Sequence, residues 1–181
     1  MRFKRVRDSV LEFKSVRNLS LISLFMSIWI VLDLFFVLEI SPECYISFGF
    51  LVRALVGGMF GVFVGGIFGF FGDLLCYFVR QRGSFFLGYA LTTMVDGVIY
   101  GLVLYKNRYV LKRIIFAQII RDILCNIFLN TLFIVMHVGG DFFKILLFVR
   151  VPKNIIKMPI NILLLYILTK IFSKLIRMRG L

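Results

Sequence analysis

Between Tyr45 and Asp73 the chain reads YISFGFLVRALVGGMFGVFVGGIFGFFGD, with Arg53 as the only charge before the closing aspartate. Glycine recurs in it at Gly49, Gly57, Gly58, Gly61, Gly65, Gly66, Gly69 and Gly72. One continuous helix from Ile46 to Phe78 would be ~50 Å long, whereas the hydrocarbon core of a bilayer is only about 30 Å thick. The stretch is too long for one span and too short for two full ones. It is expected to form two short helices folded back near Gly61, with glycines that let neighbouring helices approach closely. Irregular backbone at membrane depth must be buried in protein or line a watery cavity. The pair therefore points to a small-molecule site.

The rest of the composition agrees with a membrane setting. The chain has 181 residues, 61% of them hydrophobic, and only 9 acidic residues, while an ordinary soluble domain is about 45–50% apolar. The length accommodates roughly six spans in one domain. The expected fold class is an all-α membrane protein: six transmembrane helices in a compact bundle with an outward-facing ligand pocket. A net charge of +13 would suit nucleic acid, but its placement follows membrane topology instead. Arg2, Lys4, Arg5, Arg7, Lys14 and Arg17 precede the first span, Lys106, Arg108, Lys112 and Arg113 share a loop, and Lys170, Lys174, Arg177 and Arg179 lie in the tail. Facing inward, these groups satisfy the positive-inside rule and put both termini in the cytoplasm. Residues 1–17 form a basic arm and 18–181 a single six-helix membrane domain. Phe3, Val6, Val10 and Phe13 have helical spacing, which suits an amphipathic helix in the inner interface, although a frayed basic tail fits equally. The arm is too charged, and the apolar run after it too long, for a cleaved signal peptide. Cys44, Cys76 and Cys125 are scattered and without metal spacing.

The first span is expected over Leu19–Leu38, capped by Asn18 or Ser20, with Ser23 and Ser27 as a small face for close helix contact. Ser41-Pro42 opens an outer loop and Gln81–Ser84 forms another. Phe85–Leu104 is the fourth span, Tyr105–Arg113 an inner loop, and Ile114–Val138 the fifth span. Gly139–Asp141 turns outside, and the sixth span covers Phe142–Phe172, interrupted at Pro152 and Pro159.

Two polar stripes rise from this apolar background. Gln118, Asp122, Asn126 and Asn130 recur every four residues on the fifth span and should face the bundle. Arg150, Lys153, Asn154, Lys157 and Asn161 follow three- and four-residue spacing on the sixth. Such cations need water, partners or a ligand; interhelical bonding with snorkelling at the surface is the plainer alternative. Asp33, Asp73 and Asp96 are candidate partners for Arg53, Arg121 or Arg150. His137, the only histidine, is expected at an interface and without a metal. No Walker A sequence, HExxH, GxSxG or paired acids appear, so neither an enzyme nor a bound cofactor is expected.

The segments ISFGFL (46–51), GGMFGVFVGGIFGFFGDLL (57–75), GSFFLGYALTTMVDGVIYGLVLY (83–105), NIFLNTLF (126–133) and RVPKNIIKMPIN (150–161) occur in an order and spacing that resembles the substrate-binding S components of energy-coupling factor (ECF) vitamin transporters, most closely the folate-specific ones. The resemblance implies a vitamin pocket lidded by the first and third loops. It also implies a partner module of one transmembrane coupling subunit and two cytoplasmic ATPases in a bacterial cell membrane. Ser23 and Ser27 fall where the family has its small-residue docking face. Three positions depart from the family: Tyr45 replaces an arginine, Val62 a proline, and Leu87 the proline before Gly88. The first and third bear on the lid, hence on which vitamin is taken.

The resemblance and the stripes together lead to a subunit that captures folate or a reduced folate, with ATP hydrolysis on its partners. An S component for pantothenate or a thiamine precursor is the alternative; a cationic ligand such as thiamine would leave the basic stripe misplaced. Two glutamyl carboxylates suit Arg150 and Lys153, and a flat pterin suits Phe48, Asp73 and Tyr89, with Asn126 and Asn154 as further donors and acceptors. Tyr45, Gly49, Phe86 and Asn130 complete the expected ligand-binding set.

Overall fold

The structure, a computed structural model, describes residues 2–41, 44–80, 86–105, 111–141, 144 and 150–178. The Gln81–Ser84 loop, the basic residues Lys106 and Arg108, and the expected start of the sixth span at Phe142 lie outside the described residues. The element order is α1 (Arg2–Phe13), α2 (Val16–Phe35), β1 (Leu38–Ser41), β2 (Cys44–Ile46), α3 (Gly49–Phe60), α4 (Val62–Val79), α5 (Leu87–Leu104) and α6 (Leu111–Arg121). A π-helical stretch (Asp122–Leu129), α7 (Asn130–Val138) and α8 (Val151–Met178) follow. Among the described residues five helical segments are long and apolar enough to cross a membrane, namely Val16–Phe35, Val62–Val79, Leu87–Leu104, Leu111–His137 and Val151–Phe172, beside the shorter apolar Gly49–Phe60.

The glycine-rich stretch folds back as its length demanded. α3 ends at Gly61, whose φ of 91° and ψ of −170° strain any residue with a Cβ, and α4 starts at the next residue. α5 lies against both arms of this elbow, backbone to backbone. A Cβ on Gly65 would stand 2.6 Å from the Gly97 carbonyl oxygen, and one on Gly101 2.6 Å from the Val62 Cα. Lipid gives no hydrophobic drive for helices to associate, so close packing of this kind is what holds them together. Large side chains fill in on either side. Trp29 of α2 packs with Val56, Phe60, Val64 and Phe68, and Phe50 and Ala54 of α3 pack with Tyr100, Ile114, Ala117 and Leu165. The outward faces stay apolar and exposed, for example Leu24, Phe71, Phe78, Ile123 and Ile156, as a lipid-facing surface requires.

Several details differ from the sequence reading. α2 begins at Val16 and ends at Phe35, about one turn before the expected Leu38, because residues from Leu38 onward are used in a hairpin. There β1 and β2 pair antiparallel, with Leu38 opposite Ile46 and Glu39 opposite Tyr45. Neither Asn18 nor Ser20 caps α2; Ser15 holds the N-cap position without a side-chain bond. Asn18 instead donates from Nδ2 to the Glu12 carbonyl at 3.0 Å and to Glu12 Oε2 at 2.5 Å, fixing the α1–α2 turn. Pro152 sits in the first turn of α8, where its missing N–H costs nothing, and the helix runs on through Pro159 without ending. The arm is helical, but the residue it buries is not on the Phe3–Val6–Val10–Phe13 face alone. Ser9 is fully buried whereas Val6 is exposed.

Candidate functional site

α2, α4 and α7 end, and α3, α5 and α8 begin, at one end of the bundle. Three side-chain groups gather there and just beneath. The first joins α2, α3 and α4. Ser47 Oγ donates to Asp33 Oδ1 at 2.9 Å and accepts from the Gly49 N–H at 3.2 Å, which anchors the start of α3 to the end of α2. Arg80 Nη1 donates to the Leu34 carbonyl at 2.8 Å, satisfying one of the orphan carbonyls at the C-terminus of α2. Trp29 lies against Gly49 and Gly72, at positions where a Cβ would overlap its ring, and the Arg53 guanidinium stands 4.7 Å from the ring centroid. Asp73 is half-buried within the fields of Arg53 and Asp33. Its carboxylate makes no hydrogen bond among the described residues.

The second group is aromatic and joins α5 to α7. The Phe86 ring is 5.7 Å from Tyr89, 5.7 Å from Phe133 and 5.1 Å from His137. The rings meet tilted or edge-on, as their quadrupoles favour.

Below both lies a buried polar network. Arg53 Nε donates to Asp96 Oδ2 at 2.8 Å and Arg121 Nε to Asp96 Oδ1 at 3.0 Å. Arg121 Nη1 reaches Asp122 Oδ1 at 3.3 Å, and Gln118 Nε2 donates to Asp122 Oδ2 at 3.1 Å. Tyr100 OH donates to Gln118 Oε1 at 2.9 Å, and Asn126 Nδ2 to Asp122 Oδ1 at 2.6 Å. Two arginines and two aspartates balance in charge, so the cluster sits at membrane depth without an unpaired ion. A π turn widens the helix over Asp122–Leu129. It offsets the drift that a four-residue repeat accumulates on a 3.6-residue helix, keeping Gln118, Asp122 and Asn126 in line.

The expected site residues therefore divide. Gly49, Phe48 and Asp73 gather with the first group, Phe86 and Tyr89 with the second, and Asn126 caps the network through its amide nitrogen. Asn130 is half-buried on α7; its backbone N–H bonds the Cys125 carbonyl, while its side-chain amide makes no hydrogen bond among the described residues and stays outside the network. Asn154 is buried near the start of α8 and donates from Nδ2 to the Arg150 carbonyl at 2.9 Å. Arg150 and Lys153 are half-buried beside it. Tyr45 lies in β2, and its side chain is outside what the structure describes. Ser23 and Ser27 are exposed on α2, on the far side from Trp29; their hydroxyls donate to Leu19 and Ser23 carbonyls at 3.0 and 3.1 Å. Trp29, Ser47, Arg80 and Phe133 escaped the sequence reading. The lone tryptophan facing a glycine-rich segment was the one available signal. Among the described residues no three His, Cys, Asp or Glu side chains form a metal set.

The family described as "ECF transporter, substrate-specific component" matches residues 17–169. This chain belongs to it. The S component is 31% identical to the folate transporter FolT of Clostridium novyi (strain NT) over 157 residues, 85% of this chain and 91% of that one. It is 29% identical to FolT of Leuconostoc mesenteroides over 128 residues, 68% of this chain and 69% of the relative. A solved structure of FolT bound with folic acid superposes with a TM-score of 0.79 at 28% identity, covering 87% of this chain and 98% of that chain. The S component is thus a membrane transport protein that binds substrate, of a family that is not enzymatic.

Proposed function

We propose that this S component binds folate or a reduced folate at the outer face of a bacterial plasma membrane and delivers it for ATP-driven uptake by a partner module. The observation that carries the reading is the likeness, over 87% of this chain and 98% of the other, to a FolT with folic acid bound. Six spans place both termini in the cytoplasm, with Gly49–Phe60 counted as the short one, and the end that holds Asp33, Phe86 and Arg150 faces out. The pterin lies among Phe48, Asp73 and Tyr89, with Gly49 and Phe86 beside it and Tyr45 on the lid. Asp73 supports this, since its carboxylate has no hydrogen-bond partner among the described residues and an aminopyrimidine edge would supply one. Asn126, Asn130 and Asn154 add amide contacts, and Arg150 and Lys153 take the glutamyl carboxylates. The coupling subunit packs on Ser23 and Ser27, whose folded-back hydroxyls leave a flat face, while two ATPase subunits hydrolyse ATP.

Trp29 is the only tryptophan and borders Gly49, so its fluorescence reports on the pocket rim. Folic acid added to the purified protein is expected to quench it saturably, while thiamine and pantothenate leave it unchanged. Mass spectrometry of molecules released from the protein should recover a folate. Recovery of a different vitamin, with no response to folic acid, would overturn the assignment.

A further inference from the structure

A break at Gly61 leaves backbone groups at the end of α3 and the start of α4 without helical partners, deep in a chain where water cannot satisfy them. One side chain from another element does so. Ser9 of α1 donates to the Phe60 carbonyl oxygen at 2.6 Å and accepts from the Phe63 and Val64 N–H groups at 3.2 and 3.3 Å. A hydroxyl has one proton and two lone pairs, so Ser9 uses its whole capacity on the elbow. The fit is close, since a Cβ on Gly61 would stand 2.8 Å from both Ser9 Cβ and Oγ. Phe13, one turn along α1, sets its ring edge-on to Phe63 at 6.4 Å.

Among its described side chains the arm buries Ser9 against the elbow and leaves the opposite face open. Arg7, Leu11 and Lys14 on its other face are exposed, Leu11 by 57%. Its turn into α2 is stiffened by Asn18 bonding to Glu12, so α1 moves with the helix that bears Ser23 and Ser27. The elbow in turn is the lower stop of α3. That helix has only 12 residues, ~18 Å, and its upper end is the pocket rim, where the Gly49 N–H bonds Ser47 and the Leu51 N–H bonds the Phe48 carbonyl at 3.0 Å.

From this we infer that α1 is a clasp: Ser9 seated in the elbow fixes α3 along its length, and unseating the arm loosens the rim at Ser47–Leu51. A displacement of α2 by whatever docks on its serine face thereby reaches the pocket floor and rim through the arm. Ser9 is a positioning residue and touches no ligand. The link to vitamin release rests on the folate reading, whereas the clasp itself does not.

The test is amide hydrogen exchange on the full-length protein in detergent without ligand, comparing wild type with Ser9→Ala, Phe13→Ala and Leu11→Ala. Ser9→Ala is expected to speed exchange at Phe63 and Val64 at least tenfold, and at Gly49 and Leu51 at least threefold. Phe13→Ala, which keeps the hydroxyl but weakens its seat, should move both sites in the same direction. Leu11→Ala on the open face should move neither. Folic acid should dissociate from Ser9→Ala at least threefold faster than from wild type. Unchanged elbow exchange would show that Ser9 holds nothing. Faster exchange at the elbow with an unaltered rim would reduce Ser9 to a local cap and overturn the clasp. A wild-type protein indifferent to folic acid would sink the vitamin reading, while the rim amides would still decide this one.

Discussion

Arg53 of α3 and Asp96 of α5 meet through a 2.8 Å hydrogen bond from Nε to Oδ2, with side chains only 10% and 3% exposed. The other oxygen of Asp96 takes Arg121 of α6, so one carboxylate pins three helices. Removing one partner of a buried ion pair leaves an uncompensated charge, at a cost of about 3–5 kcal/mol. Asp96→Asn strands the Arg53 guanidinium and leaves Arg121 with Asp122 alone, at 3.3 Å, so it is expected to fall at the upper end of that range. Arg53→Met should cost less, since Asp96 keeps Arg121. Thermal unfolding of purified variants in one detergent would rank them, and the reverse order would show that Asp96 is not the hub.

How far this was legible in the sequence depends on what each signal reports. The elbow at Gly61 was readable because helix length against bilayer thickness is simple arithmetic. The four-residue stripe was readable as an inward face, but not which of its members bond each other. That depends on the π turn at Asp122–Leu129, for which the sequence carries no marker. Asp96 could be paired with an arginine in principle, yet nothing in spacing says that it takes two. Ser9 was invisible, because it sits on a basic helix whose apolar residues dominate the pattern, and its role exists only against a backbone break more than fifty residues away. Trp29 and Phe133 are similar cases: in a lipid-facing chain aromatic bulk is everywhere, and only packing distinguishes a wall from a surface.

The serine face of α2 leads to a prediction about coupling. Ser23 and Ser27 are exposed and fill no core position, so a large residue there should leave the fold alone. Ser23→Trp or Ser27→Trp is expected to leave folic acid affinity of the isolated protein within a few-fold of wild type. Cellular uptake and co-purification with the ATPase module should collapse, because small residues are what permit close helix approach. Undiminished uptake would place this face against lipid.

Orientation can be read by chemistry from outside the cell. In a background without Cys44, Cys76 and Cys125, single cysteines in place of Ser84 or Gly140 should react with an impermeant thiol reagent on intact cells. A cysteine replacing Asn107, in the basic loop, should react only after the membrane is opened, as the positive-inside rule requires. The opposite pattern would invert the bundle and move the site to the cytoplasmic side.

Asp73 and Arg150 give a paired test of how the ligand lies. In the proposed pose Arg150, half-buried and without an ion-pair partner among the described residues, takes the glutamyl carboxylates, and Asp73 takes the pterin edge. Truncating one side of a charge-assisted, desolvated contact costs roughly 2–5 kcal/mol, and about 1.4 kcal/mol is a factor of ten. Arg150→Ala should thus weaken folic acid binding at least tenfold but pteroate, which lacks the glutamate, by much less. Asp73→Asn should weaken both ligands alike, since both carry the pterin, and should leave the preference for folic acid over pteroate intact. Damage to the fold would show up as equal losses in both variants together with a lowered melting temperature. Calorimetric titration of the two ligands into wild type and each variant supplies the four ratios needed. A loss in Arg150→Ala that is equal for folic acid and pteroate would remove the carboxylates from α8, and the pocket would have to be rebuilt with the ligand reversed.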